Sequence, residues 1–202
     1  MGSSQPLFVF DLDATITRQE ILPLLARELG LEAQMAFMTE QAMRGIVPFA
    51  VDFPRRAMLL RQLPVSKARQ IAAAVPVHPQ IETFLKDHSD RCLILTGNLD
   101  VWIQDLLIKL GMEGRCLCSR GEVQDDRLIS ITAVLDKTAA AARLPHPFIA
   151  IGDGDNDLGM IQAANIGVAF SGVRPVSQRL AAAADRVIAD EGELCRFLRS
   201  LL

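Results

Sequence analysis

Short apolar runs alternate with stretches of helical periodicity along most of this chain. The runs lie at Leu7–Phe10, 92–95, 148–151 and 166–170, with a shorter one at 186–188. A short, continuous apolar run rich in β-branched and aromatic residues is typical of a strand buried on both faces. Because such runs alternate with helical patterns, the sequence predicts an α/β fold with a doubly wound, mainly parallel sheet.

The stretch from residue 17 to residue 75 interrupts this alternation, because it contains no strand-like run. Its apolar residues recur at helical spacing in four segments, at about 21–29, 32–44, 48–63 and 66–74. Ser66 is placed to cap the N-terminus of the fourth helix. A crossover between two strands needs fewer helices, so we expect residues 17–75 to form an inserted four-helix cap, with residues 1–16 and 76–202 forming the α/β core.

The part of the chain after residue 76 returns to the alternating pattern. Helices are predicted near 79–88, 99–110, 136–143, 157–164 and 175–183 and at the C-terminus, and a hairpin is predicted within 115–134. With these elements, the strands at 92–95, 148–151, 166–170 and 186–188 can join the first strand in one sheet.

Composition narrows the classes of partner. At 202 residues with 50% hydrophobic content, the chain can bury a full core. Its net charge of −3, without a run of like charges, offers no footprint for nucleic acid or an anionic membrane. No apolar run approaches the ~18 residues that span a bilayer, and the N-terminus lacks the basic and apolar regions of a signal peptide. We expect a cytoplasmic protein with a small-molecule partner, and composition indicates nothing about its oligomeric state.

The cysteines and histidines show no pattern of a metal site or of a nucleophile. No Cys-x-x-Cys pair occurs, so reduced thiols are a better interpretation than zinc ligands. No Ser or Cys elbow accompanies the three histidines, so we expect none of them to be catalytic. The cysteines are Cys92, Cys116, Cys118 and Cys195.

Polar residues follow three of the predicted strands at their carboxyl ends. Asp11, Thr96 and Asp153 each stand at or just beyond such an end, where open α/β sheets bind ligands. Carboxylates gathered in one crevice repel each other unless a cation joins them, and ligation by oxygen alone suits Mg²⁺. We expect Asp11 and Asp153 to be direct ligands and Asp157 to act through water or by orienting them.

Rival interpretations of the acidic segments are weaker. A calcium loop starting at Asp153 would need Gly at its sixth position and Glu at its twelfth, where the chain has Leu158 and Ala164. No Gly-Lys-Ser/Thr phosphate loop occurs. Taken alone, the first acidic segment could simply be a polar turn that ends a strand.

Four short segments together resemble the haloacid dehalogenase superfamily of aspartate-nucleophile phosphatases. They are DLDAT at 11–15, TGN at 96–98, Lys137 and GDGDND at 152–157. The resemblance implies a Rossmann-like core, an aspartyl-phosphate formed on Asp11, and Asp13 as the general acid and base. It also implies that phosphoryl oxygens are held by Lys137, Thr96, Gly97 and Asn156, and Mg²⁺ by Asp11, Asp13, Asp153 and Asp157.

The two aspartates of the first segment need different protonation states for these roles. Asp11 is ionised at pH 7 if its pKa stays near the reference value of ~3.9. Asp13 must carry a proton, so we expect burial under the cap and a neighbouring carboxylate to raise its pKa.

The helical insertion resembles the cap of the phosphoserine phosphatase branch. That resemblance implies that Glu20 and Arg56 hold the amino and carboxylate groups of the substrate, with Met43 and Phe49 lining the pocket. Without it, Glu20 and Arg56 would be read as solvated surface charges. The implied function is a Mg²⁺-dependent phosphomonoester hydrolase acting on O-phosphoserine.

Three departures from the pattern bear on the substrate. Ala14 replaces the usual serine, Asn98 replaces a second glycine, and the region 112–135 is short. They leave the phosphatase chemistry intact but keep open another small metabolite, such as a phosphorylated amino alcohol or sugar. A non-catalytic phosphate-sensing module is disfavoured because Asp11 and Lys137 are both present.

Overall fold

The computed structural model describes residues 5–43 and 47–202, and the side chains of residues 40–43 lie outside that description. Strands within the described residues form one seven-stranded sheet. The strands are β1 (Leu7–Phe10), β2 (Cys92–Leu99), β3 (Cys116–Gln124), β4 (Arg127–Ala133), β5 (Phe148–Gly152), β6 (Ile166–Phe170) and β7 (Arg186–Ile188).

The strand order places β1 at the centre of the sheet. Across the sheet the order is β4-β3-β2-β1-β5-β6-β7, and every neighbouring pair is parallel except β3 with β4. The chain therefore winds outward from β1 in both directions, which puts the switch point of a doubly wound sheet beside β1. This confirms the predicted fold class.

Ten α-helices are found in the described part of the chain, and a short 3₁₀ turn at Leu60–Gln62 follows the third. None of the described helices is both long and apolar enough to cross a membrane. Between β1 and β2 lie α1 (Ile21–Arg27), α2 (Glu32–Met43), α3 (Phe49–Leu59) and α4 (Val65–Ala74). The others are α5 (Pro79–Asp87), α6 (Asp100–Leu110), α7 (Lys137–Ala141), α8 (Leu158–Ala163), α9 (Gln178–Ala183) and α10 (Glu191–Arg199).

Alternate residues of the central strands enter two separate hydrophobic cores, one on each face of the sheet. Phe8 and Phe10 belong to the larger core, whereas Val9 between them belongs to the smaller one. All three side chains are fully buried. Burial on both faces explains why these strands appear in the sequence as unbroken apolar runs.

The register brings the carboxyl ends of three strands to one level. Phe10 pairs with Ile94 of β2 and with Ile151 of β5. The residues that follow these positions, Asp11 and Asp153 among them, therefore share one edge of the sheet. The prediction that the second strand ends at residue 95 was too short, because β2 resumes its pairing with β3 after an irregularity and ends at Leu99.

The chain enters and leaves the helical insertion through one pair of antiparallel segments. Thr17 pairs with Val77, the Arg18 N–H donates to the Pro76 carbonyl at 2.7 Å, and the His78 N–H donates to the Ile16 carbonyl at 3.0 Å. Two chain segments, held together by these two backbone hydrogen bonds, thus connect the helical insertion to the sheet.

The tip of the β3–β4 hairpin caps α4, a contact that corrects the predicted role of Ser66. The Ser66 N–H and hydroxyl both donate to the Asp126 carboxylate, at 2.8 and 2.6 Å, and the Asp126 carbonyl accepts the Val65 N–H at 2.8 Å. The N-cap position itself is Pro64. The N-terminus of α4 is therefore capped by a residue 60 positions from Ser66, a contact that local sequence does not reveal.

Free thiols occupy all four cysteine positions. Cys92 and Cys195 are buried in the larger core, and burial raises the pKa of these thiols to about 12 and about 11. Since the thiolate is the reactive form, these two residues act as small apolar core side chains.

Replacing Phe8 by Ala should destabilise the fold by about 3–5 kcal/mol, since it removes a fully buried ring from the core. The Phe8 ring meets the Phe84 ring edge-on at 5.2 Å. Urea denaturation gives the change in the free energy of unfolding. Phe37→Ala is the matched control, because that ring is 63% exposed; its effect should stay within about 0.5 kcal/mol. Equal losses in the two variants would contradict the core assignment.

Candidate active site

Asp11 extends the central strand and begins a tightly held turn. Its N–H donates to the Ile151 carbonyl at 2.8 Å, and the residue is only 4% exposed. Ala14 then takes a left-handed conformation, with φ of 59°, which costs a non-glycine residue about 1–2 kcal/mol. The Thr17 hydroxyl oxygen accepts the Ala14 N–H at 3.1 Å and the hydroxyl contacts the Leu12 carbonyl at the same distance, so this side chain holds the turn.

Lys137, at the start of α7, bridges two carboxylates inside the protein. Its Nζ lies 2.5 Å from Asp11 Oδ1 and 2.6 Å from Asp157 Oδ1, and its side chain is 5% exposed. Burial alone would lower the pKa of the ammonium group, but the two carboxylates outweigh this effect and raise it above the ordinary value. Lys137 therefore stays charged and fixes the position of Asp11.

The loop from 152 to 157 is built around the Asp157 carboxylate. Oδ2 of this group accepts the N–H groups of Asp153 and Gly154, each at 3.1 Å, while Oδ1 accepts from Lys137. A Cβ on Gly152 would lie 2.5 Å from the Asp157 carboxylate, so only glycine fits there without a shift. Asp157 closes the loop and orients Lys137.

Asp11, Asp153 and Asp157 form the carboxylate cluster, in which one oxygen of each residue lies within 4.8 Å of the others. All three residues are buried. Burial and then the charge of Asp157 raise the pKa of Asp11 well above its ordinary value and that of Asp153 to about 7, although Lys137 and Arg174 oppose the shifts. A further cation beside the cluster would lower both pKa values again, as expected for carboxylates that gather in one crevice.

Asp13 lies apart from the carboxylate cluster and faces the helical insertion. Its Oδ1 accepts the Ile21 N–H at 2.9 Å, and its Oδ2 accepts from Asn98 Nδ2 at 3.1 Å. Burial raises the pKa of Asp13, the charge of Glu20 adds to the rise, and the two hydrogen bonds oppose it. The direction is the one that a general acid needs, whereas the metal role predicted for Asp13 is not represented in the cluster.

Asn98, which replaces a glycine of the family pattern, contacts Asp13. Its side chain is 2% exposed, and its Oδ1 accepts the Leu99 N–H at 2.9 Å. This bond fixes the amide so that Nδ2 points to Asp13. Asn98 therefore orients the Asp13 carboxylate.

The other predicted phosphate-binding residues lie on β2, which holds Thr96 and Gly97, and in the loop after β5, which holds Asn156. Thr96 is buried and accepts the Asn98 N–H on its hydroxyl oxygen at 3.2 Å, and Asn156 is an exposed residue beside Gly154. The Phe49 ring of α3 covers Gly97 so closely that a Cβ there would lie 2.4 Å from the ring. The helical insertion thus contacts the sheet at the TGN segment, residues 96–98.

Arg56 is engaged within the helical insertion. Its Nε lies 2.6 Å from Asp52 Oδ2, one turn earlier in α3, and its Nη1 donates to Thr39 Oγ1 at 3.3 Å. The Asp52 side chain is 3% exposed, so the pair is shielded from solvent. The predicted contact of Met43 falls on a side chain outside the described residues.

Arg174 is a site residue that the sequence analysis missed. Its Nη1 donates to Glu20 Oε1 at 2.5 Å and its Nη2 donates to Asp153 Oδ2 at 3.0 Å. Arg174 belongs to the loop after β6, which opens at the same sheet edge as β1 and β5. The rule that selected Asp11 and Asp153 could have selected it, had it been applied to that strand.

Comparison with known families agrees with this geometry. Residues 8–162 match the family model described as haloacid dehalogenase-like hydrolase, and a second model with the same description matches residues 132–193. The chain belongs to the haloacid dehalogenase-like hydrolase family, as the sequence motifs predicted.

Several curated proteins similar to this chain are named as phosphatases. The phosphoserine phosphatase of Methanocaldococcus jannaschii is 28% identical over 184 residues, which cover 84% of this chain and 87% of the relative. The phosphoserine phosphatase of Streptomyces coelicolor is 32% identical over 193 residues, or 88% of this chain. The chain spans just under half of that second relative, 47% of its length.

A solved structure shares the whole fold. It is described as a phospho-aspartyl intermediate analogue of phosphoserine phosphatase, and it matches with a TM-score of 0.81. The alignment covers 96% of this chain and 99% of that chain at 24% sequence identity, a level at which the likeness shows the fold.

We predict that the metal-free protein loses stability between pH 5 and pH 8. A carboxyl group whose pKa is raised by folding stabilises the fold while protonated, and this contribution is lost as the pH rises from about 4 to about 7 for Asp153. The free energy of unfolding should fall by about 2 kcal/mol or more across that range.

Urea titrations at each pH, in the presence of a chelator, measure this change. Asp153→Asn should make the free energy of unfolding less dependent on pH. When a divalent cation replaces the chelator, most of the loss of stability in the unchanged protein should disappear. A free energy of unfolding that is constant or rising from pH 5 to pH 8 would contradict the carboxylate cluster as described.

Proposed function

We propose that this protein is a Mg²⁺-dependent phosphomonoester hydrolase that works through an aspartyl-phosphate on Asp11. The observation that carries the proposal is the buried contact of Asp11 with Lys137, at 2.5 Å, beside two further carboxylates at the edge of the sheet. A carboxylate held next to a fixed cation is suited to attack phosphorus, since phosphoryl transfer depends mainly on positioning and charge stabilisation.

The donor set of the carboxylate cluster fits Mg²⁺. All donors are oxygens within 4.8 Å of one another, and their negative charge exceeds what Lys137 and the half-exposed Arg174 supply. Asp11 and Asp153 would hold the ion directly, with Asp157 orienting them. When bound, Mg²⁺ offsets the carboxylate charge and polarises a phosphoryl oxygen.

The chain's own residues account for each step. An Asp11 oxygen forms a bond to phosphorus while the ester P–O bond breaks, and Asp13 gives its proton to the departing alcohol oxygen. Asp13 then takes a proton from water, whose oxygen attacks phosphorus and releases phosphate from Asp11. Lys137 and Thr96, with Gly97 N–H and Asn156, stabilise the equatorial oxygens.

O-Phosphoserine is the substrate that we propose first, because the relatives named above carry that specificity in their names. Glu20 would accept from the substrate ammonium group, and Arg56 would donate to its carboxylate. Arg56 has donors to spare, since a guanidinium carries five N–H groups and two nitrogens are engaged. We propose residues 17–75 as the cap that brings Arg56, Phe49 and Met43 to the site.

A second candidate is another small phosphorylated metabolite. It is favoured by one observation, namely that Glu20 and Arg56 each already have an ion-pair partner in the chain, Arg174 and Asp52. A ligand ammonium or carboxylate must compete with these partners, whereas an ester without those groups need not.

Asp11→Asn should reduce the turnover of p-nitrophenyl phosphate by at least about 10³-fold, because it removes the nucleophile while keeping the side chain's shape. The variant should stay folded, because Lys137 keeps Asp157 as a counter-ion, and thermal unfolding checks this. Asp155→Asn is the control, since Asp155 is an exposed carboxylate of the same loop that accepts from Ser177. If Asp11→Asn turned over the substrate as fast as Asp155→Asn, Asp11 would not be the nucleophile.

Arg56→Ala should raise KM for O-phosphoserine by about tenfold while changing KM for p-nitrophenyl phosphate little, because only the first substrate has a carboxylate to bind. Arg55→Ala is the matched control, since Arg55 is the exposed neighbour on the same helix. Equal increases for the two substrates would show that Arg56 does not bind a substrate carboxylate.

A further inference from the structure

Arg174 forms an ion pair with Glu20, the carboxylate that would bind the ammonium group of the proposed substrate. Its Nη1 donates to Glu20 at 2.5 Å, and Glu20 is not a member of the carboxylate cluster. The second contact, from Nη2 to Asp153 at 3.0 Å, directs the guanidinium toward the site rather than toward solvent.

The position of this ion pair indicates a role in recognition rather than in folding. The Arg174 side chain is 43% exposed and that of Glu20 is 27% exposed. An ion pair at this exposure adds little to the stability of a fold. It does, however, set the charge that a ligand meets, because Glu20 paired with a guanidinium offers much less attraction to a cation than free Glu20.

We propose that Arg174 is a specificity residue that neutralises Glu20, so that the enzyme treats small phosphomonoesters with and without an ammonium group almost alike. The inference rests on the proposed phosphatase function and concerns the substrate class of the same site. A substrate ammonium group can bind Glu20 only by displacing Arg174 from it. An ester that has a carboxylate but no ammonium group leaves the Arg174–Glu20 ion pair intact and lies near the Arg174 guanidinium.

The test compares O-phosphoserine with 3-phosphooxypropionate, which is the same ester without its amino group. In the unchanged enzyme, kcat/KM for the two should agree within about twofold. Arg174→Met frees Glu20 and should raise the ratio in favour of O-phosphoserine by about two- to fivefold, the size expected of a partly exposed ion pair. The change should appear in KM.

Two further variants separate this role from a structural one. Glu20→Gln added to Arg174→Met should return the ratio to its original value, because the freed carboxylate is then gone. Arg179→Met, which removes an exposed arginine five positions along the same segment, should leave the ratio unchanged. Arg174→Gln serves as a second variant, with thermal unfolding measured for each.

The outcomes separate the two levels of the proposal. An unchanged enzyme that hydrolyses neither ester nor p-nitrophenyl phosphate would overturn the phosphatase function and this inference with it. Two results would overturn only the role of Arg174. One is a strong preference of the unchanged enzyme for O-phosphoserine; the other is a ratio of the two kcat/KM values that stays constant or falls in Arg174→Met.

Discussion

The buried bridge from Lys137 to Asp11 and Asp157 is the interaction on which the rest of the site depends. An ammonium group at 5% exposure is tolerable only between carboxylates, and these carboxylates are tolerable only beside it. Each partner thereby fixes the others, since moving one leaves a buried charge without compensation. The bridge joins the end of β1, the start of α7 and the loop after β5, so it ties the catalytic groups to the framework of the sheet.

The fold supplies this bridge by register and by packing. Phe10 pairs with both Ile94 and Ile151, which aligns the strand ends. Gly152 leaves room for the Asp157 carboxylate, and the Phe49 ring reaches Gly97 from the helical insertion. The same insertion contacts the core again where the β3–β4 hairpin caps α4. The site is therefore enclosed from one side by the sheet edge and from the other by helices that two short segments connect to it.

Much of this could be predicted from the sequence, because buried parallel strands and the residues after them leave a local signature. The apolar run before Asp11 and the segment around Asp153 gave both the sheet and the acidic site. Arg174, by contrast, meets Glu20 across 154 positions, and Asn98 meets Asp13 across 85. Periodicity carries no information about such contacts, since they depend on how loops from different strands converge.

A crystal structure of the protein with Mg²⁺ and beryllium fluoride, which imitates a phosphoryl group on a carboxylate, would show whether Asp11 is the nucleophile. We expect the fluoride complex on an Asp11 oxygen, the ion in contact with Asp11 and Asp153, and Lys137 Nζ within hydrogen-bond distance of the complex. Beryllium fluoride on Asp13, or an ion bound away from Asp11 and Asp153, would contradict this expectation.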